Sequence, residues 1–268
     1  MTRISRVGLI GFMCTLGFWS ATSAYEIVEV NDPGKLTGTV SFSGHVPAPR
    51  TFEVQKNPEI CGSQRSLTKV SVHNGRLQGV VLALQHVTGG KAFEEKTLHA
   101  NRPGKGEFHY QAGKQLALNV RTENCNFGPF TGVVARDQPV RFSNRDSIKH
   151  TLHTYVKRGT KATILKTVHN RGIQPSSTIE ETFTEQKLPD PGVVALTCDR
   201  HDFMENWLYV VDNPYFAVSD ENGQFHIDGI PPGDYHLVAW HPILGTQEHT
   251  VTIAPQRDTA LHFSFKKP

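Results

Sequence analysis

The sequence predicts an all-β protein made of two β-sandwiches. Short runs alternate apolar and polar residues with a period of two, turn clusters rich in Gly, Pro, Asn and Asp separate them, and no long stretch carries a 3.6-residue period. A length of 268 residues suits two domains. Hydrophobic residues at 37% and charged residues at 20% fit a globular chain and argue against disorder. Lys+Arg 28 against Asp+Glu 25, with no basic run, argues against nucleic-acid binding.

The N-terminus reads as an address. Arg3 and Arg6 precede an apolar run over residues 7–19, and SATSA follows. This is the pattern of a secretory signal peptide over residues 1–24, cleaved near Ala24. The run is shorter than the roughly 20 residues of a membrane span, and no later segment approaches one. The expectation is a periplasmic protein with no stable membrane insertion after cleavage.

The strands follow in order. LTGTVSF puts Leu36, Val40 and Phe42 on one face, and LQGVVLAL is continuous enough for a buried strand. QPVRFSN pairs Val140 with Phe142, and VVALTC aligns Val194, Leu196 and Cys198. WLYVV, DYHLVAW, HTVTI and ALHFSF continue the alternation to the C-terminus. SGHVP, TGGK, RPGKG, DENGQ and PPGD supply turns between strands. Residues 157–176 are the least patterned and read as a long loop with a helical turn.

The chemistry lies at the end of one strand. CDRHDFM places Cys198, His201 and Met204 at C-x2-H-x2-M spacing directly after VVALT, and His150 follows the strand PVRFSN. A thiolate, two imidazoles and a weak thioether are the ligand set of a blue-copper electron-transfer site. The soft thiolate couples to the metal, the imidazoles suit Cu(I) and Cu(II), and the thioether helps to set the potential. One alternative is a buried cysteine with incidental histidines, since the chain has His 14. Another is a closed zinc site from His150, His153, Cys198 and His201, which leaves Met204 idle. With Cys198 claimed by the motif, Cys61 and Cys125 are the default disulfide in an oxidising compartment, or else two buried thiols.

NRDSIKHTLH followed by CDRHDFM resembles the cupredoxins, most closely their amicyanin-type members, over roughly residues 105–212. The resemblance implies one copper ion held by His150, Cys198, His201 and Met204, with Asn144 and Thr151 as supporting residues. Asp202 stands where the family usually has Pro, and Thr151 where it usually has Asn. A hydroxyl therefore replaces the amide that ties the ligand segments together. In the family, electrons pass through the C-terminal ligand histidine under an apolar patch. Here that is His201, with Phe203, Pro214 and Tyr215 as its expected rim.

YFAVSDENGQFHIDGIPPGDYHLVAWHP resembles the carboxypeptidase regulatory-like, transthyretin-type sandwich, and LTGTVSFSGHVPAPRTF with GVVLALQHV resembles its opening. The fold class implied is a cupredoxin Greek-key sandwich inserted in, or joined to, a transthyretin-like one. Residues 25–104 together with 213–268 would form the split sandwich, and 105–212 the cupredoxin domain. The whole arrangement is similar to exported methylamine utilisation protein-like cupredoxins. It implies a carrier of single electrons between periplasmic partners, a redox enzyme and/or a c-type cytochrome. A copper-delivery protein, or a zinc-bearing or metal-free scaffold, is the alternative. G-x-S-x-G, P-loop, H-E-x-x-H and C-x-x-C-H motifs are absent. A copper with its sphere filled by protein leaves no open position for substrate, so no enzymatic activity is expected.

Overall fold

The computed structural model describes residues 25–94, 96–99, 107–111, 117–157, 164–184, 186–188 and 192–267. The signal-sequence reading over residues 1–24 lies outside them. The protein is all-β: apart from one helical turn, Pro58–Cys61, the regular elements among the described residues are strands.

One sandwich packs two five-stranded sheets. The first runs in the order Thr178–Thr182, Pro139–Asn144, Ala117–Thr122, Glu107–Gln111, Lys96–His99. The second runs Thr131–Ala135, His201–Val211, Val193–Cys198, His150–Lys157, Ile164–Ile173. Pro139–Asn144 alternates strictly, with Val140, Phe142 and Asn144 buried, as a strand with one core face must. Phe142, Leu152, Val194, Leu196 and Leu208 meet in the core between the sheets.

The other sandwich is assembled from both ends of the chain. Its four-stranded sheet runs Phe216–Val218, Val81–Gln85, Gly233–His241, Gly245–Ile253. Its five-stranded sheet runs Gln224–Ile230, Gly34–Ser43, Arg76–Gln78, Ser71–His73, with Asp258–Lys266 parallel to Gly34–Ser43. Lys96–His99 pairs with Glu107–Gln111, so the change from one sandwich to the other lies before residue 96 rather than at 104.

Val81–Gln85 explains why its sequence lacks alternation. Val81 and Ala83 face the first core, while Leu82 and Leu84 face the second. Gly233–His241 does the same, with Val238 and Trp240 on one side and Leu237 and Ala239 on the other. The four-stranded sheet is thus a layer shared by both cores, and Trp240 packs against Tyr209 at 5.4 Å between ring centroids. Along residues 81–84 and 237–240 both faces exclude water, so both are apolar there.

The D-x-x-G turn behaves as its residues dictate. Asp220 Oδ1 accepts from the N–H groups of Asn222 (2.9 Å) and Gln224 (2.7 Å), and Gly223 takes φ 67°. A Cβ at Gly223 would strike the Val40 carbonyl oxygen. Residues 157–176 differ from the loop expected of them: Ile164–Ile173 is a ten-residue strand on His150–Lys157. It lies at the sheet edge, its pairing has two irregularities, and exposed polar side chains obscure the period.

His241 is 1% exposed and closes a turn. Its Nδ1 accepts from the N–H groups of Ile243 (3.2 Å) and Leu244 (3.3 Å), and burial pushes its pKa down to about 4. The unfolded chain therefore binds a proton first as pH falls. The neutral side chain's contribution is complete above pH 6.5 and is lost between there and about 4. That loss is about 3 kcal/mol. In urea unfolding at pH 7 and pH 4, His241→Asn should flatten the decline by that amount; equal slopes would show that His241 is not its source.

Candidate metal centre

Cys198 ends one strand and His201 begins the next, with Asp199 and Arg200 forming the turn between them. Cys198 and His201 are cross-strand partners, so the x2 spacing places thiol and imidazole side by side. His150–Lys157 pairs antiparallel with Val193–Cys198 and delivers His150 to the same end. Cys198 Sγ lies 3.8 Å from His150 Nδ1 and 3.6 Å from His201 Nδ1, and the three donor atoms lie within 4.8 Å of one another. The imidazole rings are 5.2 Å apart. His150, Cys198 and His201 are 0%, 4% and 2% exposed. Met204, 2% exposed, lies three residues beyond His201 on the same strand and in the core cluster that holds Cys198.

Burial opposes ionisation of Cys198. Hydrogen bonds from His150 and His201 and from the N–H groups of Thr151 (3.3 Å) and Arg200 outweigh it and bring the thiol down to about 6. Thr151 thus supports the thiolate through its backbone. Asn144 Nδ2 donates to the carbonyls of Ile148 (2.7 Å), Ile173 (3.2 Å) and Gln174 (3.1 Å), and its Oδ1 accepts from the Asp146 N–H. These bonds brace the turn that leads into His150.

His153 stands on the opposite face of its strand. Its Nδ1 bonds Asp199 Oδ1 at 2.8 Å and its Nε2 bonds Thr167 Oγ1 at 3.2 Å. The structure therefore does not bring together the four donors of the zinc alternative. Alternation along this regular stretch is the reason: His150, Leu152 and Thr154 are buried and His153 points to the other side. The pairing that carries His201 and Met204 is irregular beside Cys198, and Phe203 and Met204 are both buried there, so the same rule does not separate those two.

Sequence reading missed two features. The first is Asp146. Its Oδ2 bonds His150 Nε2 at 2.8 Å, and its carboxylate accepts from the N–H groups of Asn124 (2.7 Å) and Cys125 (2.9 Å). Burial opposes its charge, but these bonds hold its pKa below the ordinary carboxylate range. A carboxylate on the outer nitrogen of an imidazole fixes the ring so that the other nitrogen faces a metal. The only signal was an Asp four residues before His150. The second feature is the setting of His201. Phe203 contacts it at 5.5 Å, but Tyr215 is no rim residue: it is fully buried in the other core and accepts the Lys91 N–H. The actual neighbour is Cys61, bonded to Cys125, whose Sγ lies 3.8 Å from His201 Nε2.

Fold and site together define a two-sandwich β protein with a buried thiol–imidazole donor cluster. A family model described as polysaccharide lyase family 4, domain II, matches residues 191–261. The match contains both strands that carry Cys198, His201 and Met204 and runs on through the later strands of the other sandwich. No curated protein matches the sequence. The chain is similar to a mutant amicyanin in its reduced state: 19% identity, 35% of this chain and 82% of that one covered, TM-score 0.28. It is also similar to a purple cupredoxin from Nitrosopumilus maritimus: 17%, 31% and 79%, TM-score 0.25. A third is a copper-containing nitrite reductase from Thermus scotoductus SA-01: 17%, 38% and 24%, TM-score 0.29.

Proposed function

We propose that this chain is an exported type 1 copper protein that carries single electrons between periplasmic partners, a redox enzyme and/or a c-type cytochrome. One observation carries the reading: a buried Cys198 thiol meets the Nδ1 atoms of His150 and His201 at 3.8 and 3.6 Å, with Met204 buried on the same strand. The donor chemistry fits copper, because a soft thiolate and two imidazoles in an apolar shell suit both of its oxidation states. His150, Cys198, His201 and Met204 would hold the ion. Copper, when bound, supplies one-electron chemistry.

The chain's part is to prepare the donors. Asp146 orients His150, Asn144 braces the turn before it, and the Thr151 and Arg200 N–H groups hold the Cys198 sulfur as thiolate. Donors fixed by their own hydrogen bonds have little to rearrange when charge changes. No catalytic step is assigned to them. The Cys61–Cys125 disulfide supports an oxidising compartment. Among the described residues no helix is long and apolar enough to cross a membrane.

The test is to add Cu(II) to the purified protein and record its visible spectrum beside Cys198→Ala. The expected result is an intense thiolate-to-copper band that the variant lacks. A colourless protein, or the same faint band in both, overturns the reading.

A further inference from the structure

The C-terminal imidazole of the centre does not reach the surface. Above it lies a ribbon of two strands, Arg50–Glu53 and Gln64–Leu67, joined through the helical turn that carries Cys61. The ribbon pairs with no other strand among the described residues, so no ladder hydrogen bonds tie it to either sandwich. An isolated two-stranded ribbon is marginal in water.

What holds it is concentrated around His201. Phe52 packs edge-on against Phe203 at 6.3 Å, and Phe203 packs on His201. Arg65 lies 5.2 Å over Phe203 and donates to the carbonyls of Cys61 (3.2 Å) and Cys125 (3.4 Å). Lys69 pairs with Glu205 at 2.6 Å. One covalent bond, Cys61–Cys125, joins the ribbon to the sandwich that carries the centre. Its two ends approach both histidines: Cys61 Sγ faces His201 Nε2, and the Cys125 N–H binds Asp146, which holds His150. A groove of about 660 Å³, bounded in part by Cys61, Arg65, Phe130, Phe203 and Glu205, runs alongside.

We propose that this ribbon is a cover over the His201 edge of the centre, latched by Cys61–Cys125 and opened by thiol–disulfide exchange with a dithiol. The dithiol reaches Cys61 along the groove. It gives up two electrons, the S–S bond breaks, Cys61 and Cys125 become thiols, and the dithiol leaves as a disulfide. Unlatched, the ribbon keeps only side-chain contacts, and solvent and small molecules reach His201 and the Cys198 thiol. The proposal rests on reading His150, Cys198 and His201 as a metal centre.

The experiment needs no metal. In Cys61→Ser/Cys125→Ser, Cys198 is the only cysteine beyond residue 24. Its labelling by dithiobis(nitrobenzoate), compared with the metal-free native protein, should be at least about tenfold faster, because local opening governs the reaction of a buried thiol. Amide hydrogen exchange over residues 50–67 should rise both in the variant and in native protein treated with dithiothreitol, with the β circular-dichroism spectrum retained. If the double variant does not fold, ribbon exchange in native protein reduced with dithiothreitol decides, because reduction removes the same latch. Unchanged labelling in the folded double variant, or unchanged ribbon exchange after reduction, overturns the cover. Faster labelling with no coloured copper complex upholds the cover and removes the electron-carrier reading. A coloured complex with unchanged labelling does the reverse.

Discussion

Asp146→Ala is expected to destabilise the protein by about 3 to 5 kcal/mol and to weaken copper binding about 10- to 100-fold. The carboxylate is 7% exposed and accepts three hydrogen bonds. Two come from the N–H groups of Asn124 and Cys125, which both take left-handed backbone conformations, φ 50° and 52°. Consecutive non-glycine residues in that region persist only when their surroundings hold them there. Alanine leaves those two N–H groups without this acceptor and frees the His150 ring to turn. Asp146→Asn keeps one acceptor oxygen and should recover part of the stability. Urea unfolding reads the first effect, and competition with a copper chelator reads the second. An alanine variant within about 0.5 kcal/mol of the native protein would show that Asp146 is not a brace.

Removing the disulfide with Cys61→Ser/Cys125→Ser is expected to cost about 4 kcal/mol. The bond spans 64 residues of sequence, and freeing so long a loop restores much conformational freedom to the unfolded chain. The loss should appear as a fall in urea midpoint with a changed dependence on denaturant, since the unlinked denatured chain exposes more surface. A midpoint unchanged after complete removal would mean that native contacts around Phe52 and Arg65 alone set the ribbon's stability.

The donor motif is legible in the primary structure because its spacing is local. C-x2-H here spans a two-residue turn between two strands, which makes Cys198 and His201 cross-strand neighbours. Alternation marks Val140 and Phe142 as core for the same reason: a strand has two faces and one of them is wet. Asp146 left no such mark. Its role depends on the N–H groups of residues 124 and 125, more than twenty positions upstream, and no short pattern encodes a contact at that range. The edge strand Ile164–Ile173 was hidden by its own polarity.

By itself, the sequence determined the all-β class, most of the strands, and a thiol, two imidazoles and a thioether at ligand spacing. Only the tertiary structure decided that Val81–Gln85 and Gly233–His241 form one sheet shared by two cores. It also decided that His153 turns away while His150 turns in, and that Cys61–Cys125 closes over His201. Periodicity and turn chemistry act between near neighbours, and one chain displays them. The shared sheet, the placing of His153 and the covering of His201 arise between segments far apart in the chain, 46 residues for His153 and Asp199 and 140 for Cys61 and His201, where only packing sets the distances.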